Sequence, residues 1–444
     1  MVDIKPLRGL KYNTDKIGNI SEVLAPPYDI ITAVQNEKLK NSNAFNFSFL
    51  TLPLETGQKN KYENANDIFT RWINEGILVF ENKECFYLIE EIFAEDNNKK
   101  SFFGIIGLLK VEEYGKGKVL RHEKTLPKPK EDRLNLLSTC RANFEFIYTL
   151  YDDNDKKVFN LLKKYPGEKP LIETYVEYDA SLKFKLWRIS NENDIEGIKD
   201  LMRPKSILIA DGHHRYETSR FYNESTNSFS DAKNNSFKPE EYILSLFVAG
   251  NQENILIHPT HRLINFKNSI SSEQFLKKVE KYFTIEPIKK PSPELIENKI
   301  NIAVGINQKK LAVCFNDKKC FLMILNDSLE NIYKDLGILT DPFDKDFEYL
   351  DVNILHKLIL ENLLSDFSIK EIKYVHTVRE GLNDLNNPDL IENESKSHDT
   401  CFILNAPSIE TVEKLSVSGQ IMPQKSTYFY PKPCSGLVVY KMDN

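Results

Sequence analysis

The stretch ILIADGHHRYETSRFY, residues 207–222, is the feature that most constrains the fold of this chain. An apolar, β-branched run over 206–210 predicts a buried strand, and the segment from His213 onward has the composition of a helix. Asp211 and Gly212 join the two as a short turn. The stretch therefore predicts a sheet strand that leads directly into a helix, within an α/β or α+β fold.

The residues at this turn suit a phosphate-bearing ligand. The first N–H groups of a helix and the positive end of its dipole bind anions. Gly212 has no Cβ, so that the backbone can approach a ligand closely. His213, His214 and Arg215 add side-chain donors, and an arginine can hold a phosphate with two hydrogen bonds. One interpretation of the stretch is therefore a phosphate site.

Two other interpretations of the same turn stay open. A zinc site needs three or four converging ligands, and adjacent histidines on a helix usually point in different directions. Asp211 and Glu217 would suit Mg²⁺ held through water better than zinc. The plainest interpretation is that Asp211 caps the helix while the histidines face solvent.

A second charged stretch, RHEKTLPKPKEDR at 121–133, is predicted to be a stiff loop that passes into a helix at Glu131. Its cations suit phosphate, and its acids suit a general base or a Mg²⁺ ligand. The alternative is an ordinary solvated loop. The charged residues of this stretch that we consider are His122, Glu123, Lys124, Lys128, Lys130, Asp132 and Arg133.

Three shorter stretches add candidates. HPTHR, 258–262, places His261 and Arg262 after a strand, either as phosphate ligands or as exposed polar residues at a strand end. In APPYD the two prolines present Tyr28 and Asp29 on a stiff loop. STYFYPK, 426–432, has the pattern of an aromatic core strand, and we assign its lysine no role.

Length and charge limit the function classes. With 444 residues the chain has room for two or three domains of roughly 100–200 residues each. A change in the pattern of predicted strands and helices predicts a domain boundary near residue 265. The catalytic region would then cover 1–265 and an α+β region 266–444. The formal charge of −6 argues against nucleic acid as a partner.

The cysteines and the apolar runs bear on location. The six cysteines contain no CxxC pair, which predicts reduced thiols in a cytoplasmic protein. The first residues lack the apolar stretch of a signal peptide, and no run approaches the roughly 18 apolar residues of a membrane span. We therefore expect a soluble cytoplasmic monomer or homodimer without a membrane partner.

Several motifs together resemble a known family. KPLRGLKYN, APPYDII, HEKTLPKPKEDRLNLL, ADGHHRYETS, HPTHRL and MPQKSTYFYPK occur in the order of a widespread family catalogued as a domain of unknown function. Members of that family are connected with phosphorylation of free L-serine by inorganic pyrophosphate. The DGHHR box also resembles the box of archaeal free serine kinases, which have a ParB/sulfiredoxin-like fold.

The resemblance implies a ParB/sulfiredoxin-like catalytic core and a Mg²⁺-dependent kinase. The kinase would transfer a phosphoryl group from pyrophosphate, or from a nucleotide, to L-serine and give O-phosphoserine. No GxxxxGK[ST] loop and no protein-kinase glycine loop is present in the sequence. For the catalytic base we choose Glu123, with Asp132 second and Asp29 third.

The resemblance and the residue chemistry together give a set of expected site residues. We expect catalytic roles for Glu123, Asp211, His214 and Arg215. We expect donor or substrate binding by Gly212, His213, Lys124, Lys128, Arg133, Tyr28, His261 and Arg262, and metal binding by Asp211, Asp132 and Glu217. The alternatives are a metal-dependent phosphohydrolase that uses His122, His213, His214 and His258, a non-catalytic ParB-like ligand-binding switch, and a metabolite sensor without turnover.

Overall fold

The computed structural model describes residues 1–57, 59–95, 98–125, 127–227, 237–301, 309–340, 342–386 and 398–443. The chain divides into two compact units. The first contains Met1–Arg121, Thr125–Leu256 and the residues from Pro431 onward; the second contains His122–Lys124 and Ile257–Tyr430. The sequence predicts a boundary near 265, whereas this division falls after Leu256 and returns the last residues to the first unit.

The first unit is built on a mixed sheet. Its strands are β1 (Ile4–Lys5), β2 (Leu10–Tyr12), β3 (Leu78–Phe80), β4 (Phe86–Glu95), β5 (Asn98–Lys110), β6 (Val119–Leu120), β7 (Ala142–Asn143), β8 (Ile147–Tyr151), β9 (Ile172–Val176), β10 (Asp179–Ile189), β11 (Ile207–Asp211) and β12 (Tyr242–Ala249), followed much later by a short strand over Tyr440–Lys441. The sheet order is β6-β11-β8-β12-β5-β4-β10-β9, and β1 pairs with β5. Because β8 runs parallel to β12 and antiparallel to β11, the mixed α/β character expected from the sequence is confirmed.

Helices connect these strands. They are α1 (Thr14–Ile17), α2 (Ile20–Val23), α3 (Ala33–Ser42), α4 (Ser48–Thr51), α5 (Lys61–Asn74), α6 (Pro127–Cys140), α7 (Lys157–Leu162), α8 (Glu192–Met202) and α9 (His213–Asn227), with 3₁₀ turns over Tyr28–Ile30, Tyr165–Gly167 and Pro239–Glu241. Helix α5 begins where the Asn60 side chain accepts from the N–H groups of Tyr62 and Glu63 while Glu63 bonds back to Asn60. That capping box fixes the position of Lys61 and Tyr62, which return below in the site.

The strand before the Asp-Gly turn is held by burial. Ile207 and Ile209 of β11 lie in the core, which also takes in Ile147 and Tyr216. Full burial of each of these isoleucines stabilises the fold by about 1.5–3 kcal/mol. The hydroxyl of Tyr216 donates to the backbone oxygen of Glu112 at 3.0 Å and so ties α9 to the chain beyond β5. The junction of β11 and α9 is therefore anchored on both sides.

The second unit contains an antiparallel sheet with helices. Its strands are β13 (Leu256–His258), β14 (His261–Phe266), β15 (Phe283–Pro287), β16 (Lys310–Phe315), β17 (Cys320–Leu325), β18 (Ile369–Val375), β19 (Thr400–Ile403) and β20 (Tyr428–Tyr430). Its helices are α10 (Ser272–Val279), α11 (Pro293–Asn301), α12 (Leu329–Leu336), α13 (Lys345–Glu348), α14 (Asp351–Asn353), a π-helix over Ile354–Leu363, α15 (Val378–Asn386) and α16 (Ile409–Val417). The sheet order is β15-β17-β16-β19-β14-β18, and β13 pairs with β20. Strand β14, which carries the end of the HPTHR stretch, thus lies inside the sheet between β18 and β19.

Two sequence predictions are wrong in this structure. Helix α6 begins at Pro127 and not at Glu131, so Lys128 and Lys130 lie on a helix and not in a loop, while Asp132 and Arg133 lie on it as predicted. Prolines are compatible with the first turn of a helix because its N–H groups have no acceptor within the helix. Cys314 and Cys320, expected to be reduced, face each other across β16 and β17 and form a disulfide.

Among the helices of the described residues, none is both long and apolar enough to cross a membrane.

Candidate functional site

The turn after β11 requires a glycine. Gly212 has φ +94°, a conformation that residues with a side chain rarely adopt. A Cβ at this position would lie 2.9 Å from the side chain of Ile147 and 3.1 Å from Nε of Arg215. The predicted strand, turn and helix are confirmed, and the turn brings the backbone at the start of α9 close to Arg215.

Arg215 folds back onto the end of β11. Its Nη2 lies 2.5 Å from Oδ2 of Asp211, and its Nη1 donates to the backbone oxygen of Phe146. The side chain is 13% exposed. Burial lowers the pKa of Arg215, but the neighbouring carboxylates of Asp211, Glu145 and Asp29 outweigh burial and raise it. The guanidinium is therefore a fixed positive charge in the first turn of α9.

A lysine from the far end of the chain completes this group. Nζ of Lys432 lies 2.7 Å from Oδ1 of Asp211 and 2.6 Å from Oδ2 of Asp29, and its side chain is only 4% exposed. Burial lowers the pKa of Lys432, but the carboxylates of Asp211 and Asp29 raise it by more than burial lowers it. The net shift of the pKa is therefore upward. We call Asp29, Asp211, Arg215 and Lys432 the Asp211 cluster.

Lys432 was not among the expected site residues, although its sequence context carries a signal. Lysine is almost never fully buried unless it is paired. Lys432 stands between Pro431 and Pro433, directly after an aromatic strand, which places a charged residue on a stiff segment beside apolar ones. A lysine in that setting indicates an ion pair inside the fold.

A small cavity lies next to the cluster. It measures about 50 Å³, and its lining includes Arg133, Glu145 and Arg215. Glu145 Oε1 accepts from the N–H of Tyr28 at 2.9 Å and from Oγ of Ser435 at 3.0 Å. The Arg133 guanidinium lies 4.1 Å from the centre of the Tyr28 ring. Burial raises the pKa of Tyr28 to about 12, against the opposing effect of Arg133, so its hydroxyl stays protonated at neutral pH.

Asp132 is held by cations of its own. Its carboxylate lies 2.6 Å from Nζ of Lys61, 3.0 Å from the hydroxyl of Tyr62 and 2.5 Å from Nη2 of Arg133. Burial raises the pKa of Asp132, but Arg133 and Lys61 outweigh it and hold the pKa at about 2. Asp132 thus positions Arg133.

Glu217 has a third, separate set of partners. It accepts from Oγ1 of Thr125 at 2.8 Å, pairs with Lys130 and lies 3.4 Å from Arg121. Burial raises the pKa of Glu217, but Lys130 and Thr125 outweigh it, and the net shift is downward. The carboxylates of Asp132, Glu217 and Asp211 each pair with different lysine and arginine side chains. Among the described residues, the three metal ligands expected from the sequence therefore do not form one group.

The pairing of Asp132 predicts a pH dependence of stability. The folded-state pKa of about 2 lies below the ordinary aspartate pKa of 3.8. Asp132 therefore stabilises the protein fully above pH 3.8 and loses this contribution as the pH falls towards 2. The full contribution is about 2 kcal/mol. We expect Asp132→Asn to flatten the fall in the free energy of unfolding between pH 5 and pH 2, measured by urea denaturation. An unchanged pH profile would contradict the assigned pairing.

Glu123 lies in the second unit and holds a turn there. Its Oε1 accepts from the N–H groups of Ser426 at 2.9 Å and Thr427 at 3.0 Å, and its Oε2 accepts from the N–H of Lys425 at 3.2 Å. Lys425 has φ +57°, so the turn is a strained one for a residue with a side chain. These bonds give Glu123 a positioning role in this turn.

A conservative variant separates this role from that of a base. We expect Glu123→Gln to lower the free energy of unfolding by about 1–3 kcal/mol, because an amide NH₂ would then face backbone N–H groups. Thermal and urea unfolding measure the change, and Glu280→Gln, at an exposed position of the same unit, is the control. Unchanged stability with a large loss of turnover would instead assign Glu123 as the base.

The remaining expected site residues fall into two groups. His213 is buried and His214 half-buried, and both open α9 beside the cluster. Lys128 lies in the first turn of α6. Lys124, His261 and Arg262 belong to the second unit, where Lys124 is exposed and Nδ1 of His261 accepts from the N–H of Leu404 at 3.3 Å. Five of the expected site residues thus lie in the first unit, in or beside the Asp211 cluster: Tyr28, Arg133, Asp211, Gly212 and Arg215.

Fold and site together define a class: a two-unit mixed α/β protein with a charged cluster at the start of a helix. The chain belongs to the family described as "Protein of unknown function (DUF1015)", whose model matches residues 4–352. This confirms the family resemblance found in the sequence motifs. A comparison with curated proteins gave no match.

A comparison with solved structures gave matches at low identity and low TM-score. A conserved hypothetical protein from Pyrococcus furiosus has 15% identity and a TM-score of 0.33, over 73% of this chain and 93% of that one. A free serine kinase in complex with AMP has 16% identity and a TM-score of 0.32, over 70% and 83%. SbnI with a C-terminal truncation, from Staphylococcus aureus, has 11% identity and a TM-score of 0.32, over 74% and 85%.

Proposed function

We propose that this protein is a phosphotransferase that moves a phosphoryl group from pyrophosphate, or from a nucleotide, to the hydroxyl of free L-serine. The observation that carries the proposal is the Asp211 cluster, in which Arg215 and Lys432 are held on two carboxylates at the opening of α9. Phosphoryl transfer relies on positioning and on neutralising the charge of the transferred group. Fixed cations at a helix N-terminus supply both.

The donor phosphate would bind at the first turn of α9. The positive φ of Gly212 opens the backbone there, and Arg215 adds a guanidinium with a fixed orientation. A pyrophosphate donor has no base or ribose to recognise, so a compact cationic site suffices for it.

Mg²⁺ fits this site chemically. Asp29 and Asp211 present the hard oxygen ligands that Mg²⁺ prefers, and Lys432 already places one positive charge between them. Bound Mg²⁺ would neutralise further charge on the donor oxygens. Lys432 and Arg215 keep the two carboxylates in place whether or not the ion is present.

The small cavity beside the cluster suits an amino acid as the acceptor. Arg133 matches an α-carboxylate, and Glu145 matches an α-ammonium group. At about 50 Å³ the cavity has room for a compact ligand only. The acceptor would thus be gripped at its two charged groups, which leaves a side-chain hydroxyl for the reaction.

Asp29 is the base that the geometry favours. Glu123 accepts backbone N–H groups of a turn, and Asp132 is committed to Lys61 and Arg133. Asp29 belongs to the cluster through Lys432. In the reaction Asp29 takes the proton of the serine hydroxyl, the hydroxyl oxygen bonds to phosphorus, and the bond from phosphorus to the leaving phosphate breaks.

One assay tests the proposal. The protein is incubated with Mg²⁺, L-serine and either pyrophosphate, ADP or ATP, and O-phosphoserine is measured by mass spectrometry, with glycine as the acceptor control. We expect O-phosphoserine with at least one donor and none without the protein. Orthophosphate release at the same rate with and without serine, and no O-phosphoserine, would indicate a phosphohydrolase and contradict the proposal.

A further inference from the structure

A second charged group, independent of the proposed reaction, lies in the second unit. Arg262 of β14 has a side chain that is 1% exposed. Its Nη1 donates to the backbone oxygen of Thr260, and its Nη2 donates to the backbone oxygen of Lys425 at 2.8 Å. Its Nε has no acceptor among the residues that the structure describes. A guanidinium carries five N–H donors, so this one is under-used.

The charge of Arg262 also lacks a close counter-ion. Within the described ranges no carboxylate lies within 4.0 Å of it, the limit for an ion pair. Burial lowers the pKa of Arg262 to about 10, which still leaves it protonated at neutral pH. Burying an ionised group without a partner costs several kcal/mol. The protein therefore encloses a positive charge that the carboxylates of Glu123 and Asp351 act on without making direct contact.

The neighbouring histidines do not compensate this charge. Burial, and then Arg262, lower the pKa of His261 to about 3 and that of His356 to about 4. Both rings are neutral at pH 7. Neutral imidazoles around a protonated guanidinium leave the local charge positive.

Arg262 lines a small cavity with other polar groups. The cavity measures about 30 Å³, and its lining includes Thr260, Lys309, Asp351 and Ser426. Oγ1 of Thr260 is buried and has no partner in the part of the chain that the structure describes.

Asp351 on the same wall is already committed. It accepts from N and Nδ2 of Asn405 at 2.9 and 2.8 Å and lies 3.3 Å from Nζ of Lys309. Counting Arg262 and Lys309 as positive and Asp351 as negative, the cavity lining has one excess positive charge. Arg262 and Thr260, which carry the unused guanidinium N–H and the unpaired hydroxyl, thus both line a cavity whose counted lining charges leave one positive in excess.

We propose that this cavity binds one small monovalent anion, either a halide or the carboxylate group of a small organic acid. About 10–15 Å³ of such space accommodates one water molecule, so a cavity of about 30 Å³ suits an anion of chloride size and is too small for pyrophosphate. The anion accepts from Nε of Arg262 and from Oγ1 of Thr260. It neutralises the charge enclosed behind the turn that Glu123 holds.

Crystals of the full chain soaked in sodium bromide test the site directly. We expect an anomalous bromine peak within hydrogen-bond distance of Nε of Arg262 and Oγ1 of Thr260. A parallel soak in sodium formate shows whether a carboxylate takes the same position. A water molecule or nothing at that position in both soaks, at 0.5 M salt, would overturn the proposal.

Solution measurements test the same site through its variants. The unfolding temperature is measured against bromide or formate concentration at constant ionic strength, with gluconate, which is too large for the cavity, as the balancing anion. We expect Thr260→Val to weaken the apparent affinity about three- to ten-fold through the lost hydrogen bond. We expect Arg262→Met to abolish the dependence, while Arg379→Met, at an exposed arginine of the same unit, keeps it. If Arg262→Met does not fold, Thr260→Val decides; wild-type affinity in that variant would overturn the proposal.

Discussion

We expect the Asp211→Asn variant to form O-phosphoserine about 10²-fold or more slowly than the wild-type protein, with little change in its fold. The asparagine keeps the shape of the aspartate but removes the charge that holds Arg215 at 2.5 Å and Lys432 at 2.7 Å. Losing one preorganised electrostatic group in an active site typically costs 10²–10³ in turnover. The turnover number with saturating donor and serine, measured beside the unfolding temperature, checks this prediction.

A second aspartate of the first unit offers a matched control. Asp443 pairs with Arg141 at 2.8 Å, but both side chains are substantially exposed. We expect Asp443→Asn to turn over at the wild-type rate. A near-native rate in Asp211→Asn would show that the cluster is structural and not catalytic.

We expect Lys432→Met to be the most destabilising single substitution in the cluster, by about 3 kcal/mol or more. The substitution removes the ammonium that bridges Asp29 and Asp211 and leaves two neighbouring carboxylates that repel each other. Repulsion raises the pKa of one of them, so that the variant should regain stability as the pH is lowered from 8 to 5. Urea unfolding at both pH values measures the effect.

Two further variants test whether the destabilisation comes from loss of the ion pairs of Lys432 with Asp29 and Asp211, or only from the loss of a lysine side chain. Asp29→Asn combined with Lys432→Met removes one of the two repelling charges, and we expect it to recover part of the lost stability, as a double-mutant cycle reports. Lys157→Met removes an exposed lysine paired with Asp155 and should leave stability unchanged. Equal destabilisation by the single and the double variant would contradict the bridge.

The local order around the site could be predicted from the sequence because short-range physics determines it. The apolar run before Asp211 and the glycine after it define a strand and a turn without reference to the rest of the chain. The start of α6 at Pro127 was not predicted, because the segment with two prolines has the pattern of a stiff loop, although the first helical turn accepts proline.

The partners in the cluster could not be predicted in the same way. Asp211 and Lys432 are 221 residues apart in sequence, and Asp29 and Lys432 are 403 apart. No periodicity or spacing rule relates positions at such distances. Nor does the sequence predict the hydrogen bonds between Glu123 and a turn about 300 residues later. The disulfide between Cys314 and Cys320 depends likewise on the register of β16 and β17.

A crystal structure of the full chain with pyrophosphate and Mg²⁺ tests the central claim most directly. We expect electron density for a phosphate within hydrogen-bond distance of the backbone N–H groups in the first turn of α9 and in contact with the Arg215 guanidinium. Asp211 should still be paired with Lys432. Pyrophosphate bound away from the start of α9, with that turn unchanged and without a ligand, would contradict it.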